Sequence, residues 1–318
     1  MSVTKGLIKK LSTSASVFLL ITGSALAAEA DACKTVRFSD VGWTDITATT
    51  ATATSVLDAL GYETNVKVLS VPVTYASLAN NDLDVFLGNW MPTMEADIAK
   101  YRDAGTVDTV QTNLTGAKYT LAVPKYTYEK GLKDFADIAK FSDDLDGEIY
   151  GIEAGNDGNR LILDMIEQDA FGLDDFDIVE SSEAGMLSQV ARKTRRNEDI
   201  VFLGWAPHPM NSNFELEYLT GGDDFFGPNF GGADVRTNTR AGYATECANM
   251  GQFLQNLTFS LEMENEIMNA ILNEGEEPTD AATAWIKKNP ESLDKWLNGV
   301  TTFDGKDGLS AAKTAFGL

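Results

Sequence analysis

Short apolar runs alternate along this chain with longer stretches in which apolar side chains recur every third or fourth position, a pattern that predicts strands alternating with helices. Strands are expected at residues 36–41, 66–71, 83–87, 107–111 and 119–123, then at 148–153, 178–180, 200–204 and 216–219. Helices are expected among them at 46–60, 72–78, 94–103, about 134–141, 158–169 and 182–195. Punctuation residues support these boundaries. Thr44 or Asp45 can cap the first helix, Gly61 closes it, Pro72 opens the second and Gly105 stops the third. From Gly242 onward the pattern turns helical, at about 243–258, 262–273, 278–288 and 290–297.

Strands and helices in alternation, joined by short connections, argue for an α/β fold with parallel sheets. At 318 residues the chain is long enough for two domains of ordinary size. The two sets of strands therefore suggest two α/β lobes, with crossings near 112–118 and somewhere within 206–236. Residues 28–116 together with 213–318 would form lobe I, and 117–212 lobe II.

The N-terminus and the cysteines sharpen this picture. Residues 1–27 read as a secretory signal: Lys5, Lys9 and Lys10 precede an apolar heart at 17–21, and Ala25-Leu26-Ala27 offers a cleavage site. The apolar run is too short, and too broken by Ser and Thr, to span a bilayer. The remainder is expected to be soluble and exported, most simply into a bacterial periplasm. Cys33 and Cys247 are the only cysteines. In an oxidising compartment a disulfide between them is the default, two separate buried thiols being the alternative. The pairing would place the N-terminal and C-terminal parts in one lobe.

Charge and residue counts remove several classes of function. There are 48 acidic residues against 25 basic ones, a net charge of −23, so nucleic acid is a poor partner. One histidine and two cysteines exclude a His-rich zinc site and a four-cysteine cluster, and no cofactor is expected. Residues 142–153 imitate a calcium loop, but they begin with Ser142 and run into an expected strand rather than a helix, so no metal is expected there. No G-x-S-x-G or H-E-x-x-H motif occurs, and a Ser-His-Asp triad would have to use His208, set between two prolines. No catalytic residue is expected. A secreted hydrolase using paired carboxylates is the alternative from another class.

Ligands of open α/β sheets bind beyond the carboxyl ends of the strands. Four segments stand there: Gly42-Trp43-Thr44-Asp45, Gly88-Asn89-Trp90, Gly155-Asn156-Asp157-Gly158 and Trp205-Ala206-Pro207-His208, with Tyr119 at the first crossing. A large ring in such a loop needs cover. Three of them in equivalent places suit a cleft that receives a soft cation, since each ring face attracts a quaternary ammonium by about 0.5–2 kcal/mol. Trp285 and Trp296, on the C-terminal helices, are expected to be packing residues.

The segments 38–45, 84–92, 148–159 and 199–211 resemble the substrate-binding proteins of choline and glycine betaine ABC importers, and the resemblance covers essentially the whole exported chain. It implies a type II periplasmic-binding-protein fold, with two lobes and a hinge that closes on ligand. It also implies an aromatic box of Trp43, Trp90, Tyr119 and Trp205 around a trimethylammonium, with Asp45 and Asn156 as the polar pair for a choline hydroxyl. Asp45 could equally serve as a helix cap, and the two roles can coexist. His208 is expected behind the site or in a loop role, although a betaine ligand would give it a carboxylate to meet. Asp157 lies near the site in sequence and otherwise reads as a turn residue. The implied partners are choline, with acetylcholine or a betaine bound more weakly, or glycine betaine or proline betaine in the alternative, and an inner-membrane permease; the receptor is expected to act as a monomer.

Overall fold

The computed structural model describes residues 1–2 and 29–318. The expected signal segment 1–27 therefore lies, apart from Met1 and Ser2, outside the described residues. The first half runs β1 (Thr35–Asp40), α1 (Thr44–Ala59), β2 (Glu63–Val68), α2 (Val71–Ala79), β3 (Val85–Met91) and α3 (Glu95–Asp103). A long strand β4 (Val107–Pro124) leads into β5 (Glu148–Tyr150), β6 (Asp177–Val179), β7 (Val201–Ala206) and β8 (Leu216–Tyr218). The helices Asp157–Glu167 and Glu183–Thr194 lie between these strands, and β9 (Gly232–Arg240) returns to the first half.

Among the described residues all nine strands belong to one hydrogen-bonded sheet of order β2-β1-β3-β9-β4-β7-β5-β6, with β8 beside β4. The outer pairs are parallel, as the alternation predicts. The middle is antiparallel: β9 lies between β3 and β4, and β4 also pairs with β7 and β8. Two features depart from expectation. The strands expected at 107–111 and 119–123 are one continuous strand, and β9 is a strand the pattern did not single out. Both are explained by partnership, because β9 pairs with the first two thirds of β4, 107–118, and β7 and β8 pair with the rest.

Each half has its own helices on the sheet. α1 is rich in Thr and Ala and buried along most of its length. Its small side chains let the helix Pro278–Lys288 approach, and the hydroxyls of Thr49, Thr52 and Thr54 bond back to carbonyls one turn earlier, so burial leaves them satisfied. Around α1 the helices Ala248–Asn256, Leu261–Leu272, Pro278–Lys288 and Glu291–Trp296 close an apolar cluster that includes Phe253, Met268 and Trp296. Trp285 stacks on Trp296 with ring centroids 6.3 Å apart, the packing role expected of both. Cys33 and Cys247 are disulfide-bonded within this cluster, with Cα atoms 5.6 Å apart. Closing so long a loop stabilises the folded chain by up to about 5 kcal/mol in the chain-entropy model.

Within β4, Gly116 takes a positive φ of 76° where the pairing with β9 shifts register. Residues 216–218 pair with the second half of β4, and Leu219 and Thr220 bond to Leu121 and Lys133. Among the described residues no helix is long and apolar enough to cross a membrane.

Candidate functional site

The site lies where the two halves meet. Trp43, Asp45, Trp90, Tyr119, Ile152 and Trp205 line a small, tightly closed cavity. The three tryptophans expected at strand ends and Tyr119, expected at the first crossing, are thus brought together, but by different local structures. Trp43 does stand in the loop after β1. Its turn is held by Asp40, whose carboxylate accepts from the Gly42 N–H and the Thr47 hydroxyl. Trp90, Tyr119 and Trp205 are within strands rather than after them. The reason is the antiparallel middle of the sheet: Trp90 pairs with Val235 of β9, and Tyr119 pairs directly with Trp205 across β4 and β7. Such cross-strand partners point to the same face. The Tyr119 ring lies 6.0 Å from Trp90 and 6.2 Å from Trp205. Gly158 is required beside it, because a Cβ there would collide with the Tyr119 hydroxyl.

Polar atoms at the site are anchored across the cleft. The Trp90 indole N–H donates to Asp45 Oδ2 at 3.0 Å, leaving Asp45 Oδ1 buried without a protein partner. The Trp43 indole N–H donates to Glu153 Oε1 at 2.7 Å, a residue of the opposite half. Asp45 does not cap α1. Trp43 occupies the cap position without a side-chain bond, and the Thr44 N–H donates instead to Glu183 Oε2 at 2.9 Å. His208 is buried with its ring 5.0 Å from that of Trp205. Its Nδ1 accepts from the Met210 N–H, which leaves Nε2 to donate to Glu183 at 3.1 Å.

Asn156 does not line the cavity. Its Oδ1 caps the helix Asp157–Glu167 through the Asn159 N–H and accepts from the Tyr119 hydroxyl at 3.4 Å, so it touches the cage from behind Tyr119. Asn159 in turn bonds both backbone groups of Ile152 and so fixes the loop that carries Ile152 and Glu153. Asp157 is buried in the first turn of that helix. One turn on, Arg160 reaches the other half, donating to Thr93 O at 3.0 Å and Asp97 Oδ2 at 2.8 Å.

The surroundings are acidic. Burial pushes the Asp45 carboxyl up to about 8, with the Glu183 carboxylate adding to the rise. Burial likewise raises Glu153 to about 7 and Asp157 to about 6. Glu264, fully buried on the helix Leu261–Leu272, is raised well above the usual carboxylate range by burial and by Asp45. None of the six residues lining the cavity is basic. Rings, an unpartnered carboxylate oxygen and an acidic surround favour a cation and disfavour an anion. Among the described residues no three His, Cys, Asp or Glu side chains are placed to hold a metal.

Ile152, Glu153, Arg160 and Glu183 escaped the sequence reading. Glu153 reads as the end of a strand, and Glu183 as an ordinary acid in a first helical turn after Ser182. Their functional signal is a partner in the other half, which no local pattern contains.

Two α/β halves joined by crossing strands around an enclosed cleft define a two-lobed substrate-binding protein. Residues 34–288 match the family described as the substrate-binding domain of ABC-type glycine betaine transport systems, and the chain belongs to that family. It has the two-lobed fold of the periplasmic binding proteins. A solved ABC-transporter choline binding protein in complex with choline is 67% identical, with a TM-score of 0.90 over 91% of this chain and 100% of that one. An unliganded, semi-closed choline binding protein structure, 68% identical, gives 0.84 over the same shares. A lactococcal glycine betaine-bound protein in its closed form is 25% identical, with a TM-score of 0.76 over 83% of this chain and 100% of that one.

Proposed function

We propose that this protein is a periplasmic receptor that captures choline in the cage of Trp43, Trp90, Tyr119 and Trp205 and delivers it, unchanged, to an ABC permease. The trimethylammonium lies among the rings, and the hydroxyl meets Asp45. Asn156 supports the polar side from behind Tyr119 rather than by direct contact, and His208 acts through Glu183. The supporting observation is the cavity itself: four aromatic residues, one carboxylate oxygen without a protein partner and no basic side chain. A quaternary ammonium cannot donate hydrogen bonds, so a salt bridge alone would recognise it poorly. Ring faces supply about 0.5–2 kcal/mol each. Micromolar affinity needs about 8 kcal/mol, and burial of the methyl groups supplies the rest at about 25 cal/mol per Å². The same acidity opposes the carboxylate of a betaine. Lobes I and II close about Gly116 and 227–232, and residues 1–27 are the export signal, cleaved after Ala27.

Isothermal titration of refolded, ligand-stripped protein with choline and glycine betaine tests this reading. Saturable choline binding with weaker betaine binding is expected. Tighter betaine binding would overturn the choline assignment, and absence of both would overturn the quaternary-ammonium reading.

A further inference from the structure

Glu183 lies at the start of the helix Glu183–Thr194 and is 5% exposed, yet it is not among the residues lining the cavity. Its carboxylate crosses the cleft to α1. Oε2 accepts from the Thr44 N–H and Oε1 from the Thr44 hydroxyl, where α1 has no side-chain cap of its own. An amide at a helix N-terminus is a favourable place for a carboxylate. Oε1 also accepts from His208 Nε2, whose ring packs on Trp205. One carboxylate therefore joins the residue between Trp43 and Asp45 to the loop that follows Trp205.

We infer that Glu183 is the positioning residue of the closed receptor: it sets Trp43 and Asp45 over a ligand that already rests against Tyr119 and Trp205. The inference rests on the choline-receptor reading. The Thr44 bonds join opposite lobes and exist only when the lobes are closed, so Glu183 governs ligand escape rather than encounter. Arg160 spans the cleft independently through Thr93 and Asp97, so closure remains possible without Glu183. The carboxylate also adds to the negative field at Asp40, Asp45 and Glu153. A purely electrostatic role is thus the rival, and the amide variant separates the two.

The experiment measures the dissociation constant and dissociation rate of choline for wild type, Glu183→Ala, Glu183→Gln, Thr44→Val and the double variant Thr44→Val/Glu183→Ala. Loss of the carboxylate in Glu183→Ala is expected to weaken binding about thirtyfold, almost entirely through faster dissociation. Glu183→Gln keeps a carbonyl for the Thr44 N–H and recovers part of the loss. Thr44→Val weakens binding a few-fold alone and adds little in the double variant, as coupled partners do. The ligand-free melting temperature of Thr44→Val stays within about 2 °C of wild type, because the cross-cleft bonds are absent from the open protein, whereas that of Glu183→Ala falls only by what loss of the His208 bond within lobe II costs. An unchanged dissociation rate in Glu183→Ala overturns the inference. So does a ligand-free melting temperature of Thr44→Val that falls with affinity, or a Gln variant as poor as Ala with fully additive Thr44→Val. Wild-type protein that fails to bind choline would instead overturn the receptor reading on which the inference stands.

Discussion

The two faces of the cage are built differently. On the lobe II face Tyr119 and Trp205 share one rung of the ladder between β4 and β7, and Phe226 packs edge-on against Tyr119 at 5.9 Å. Strand register alone sets these rings. On the lobe I face Trp43 and Asp45 stand at the N-terminus of α1, and the Trp43 and Thr44 N–H groups find their acceptors, Glu153 and Glu183, on the opposite lobe. One face is finished within its own lobe, whereas the other is finished only when the lobes meet. A preorganised face loses little freedom on binding, while a face assembled by closure ties affinity to the hinge.

Substitutions can break this contrast. The largest effect is expected for the tryptophans: Trp205→Ala, Trp90→Ala and Trp43→Ala should each weaken choline binding at least roughly tenfold, about 1.4 kcal/mol, without unfolding the protein. Titration calorimetry with circular dichroism checks this, and Trp43→Ala should act mainly through the dissociation rate. Asp45→Asn should weaken choline several-fold and glycine betaine less, because the net-positive choline gains from ionising the Asp45 carboxyl whereas the betaine's own carboxylate is repelled by it; parallel titrations with the two ligands at pH 8 or above check it. A pH effect of similar or smaller size follows from the buried carboxyls. With Asp45 raised to about 8, Glu153 to about 7 and Asp157 to about 6, acid converts them to neutral forms that no longer favour a cation. Choline affinity should therefore fall as pH drops from 8 toward 5, and choline uptake near neutral pH should release protons, seen as heats that differ between buffers. The smallest effect is expected for Tyr119→Phe, which keeps the ring and loses one 3.4 Å hydrogen bond to Asn156. Less than about a threefold change should result.

Much of the architecture was legible without the third dimension. The positions of β1, α1, α2, α3 and the helix Glu183–Thr194 follow from apolar periodicity and punctuation residues, because these signals are local. The pairing of Cys33 with Cys247 follows from their number and the export signal, and the three tryptophans from their places near strand ends, while Tyr119 joined them through the resemblance. Tertiary structure decided what depends on partners distant in sequence. β9 and the unbroken β4 exist because they pair with each other, and that pairing extends β3 over Trp90. The bonds of Asn156, which caps its own helix and meets the Tyr119 hydroxyl, were likewise set by what the fold places beside it. Glu153 and Glu183 acquire their roles only through Trp43 and Thr44 across the cleft, each more than a hundred residues away in the chain. Periodicity reports which face of an element is buried, but a hydrogen bond between lobes is fixed by where two whole units come to rest.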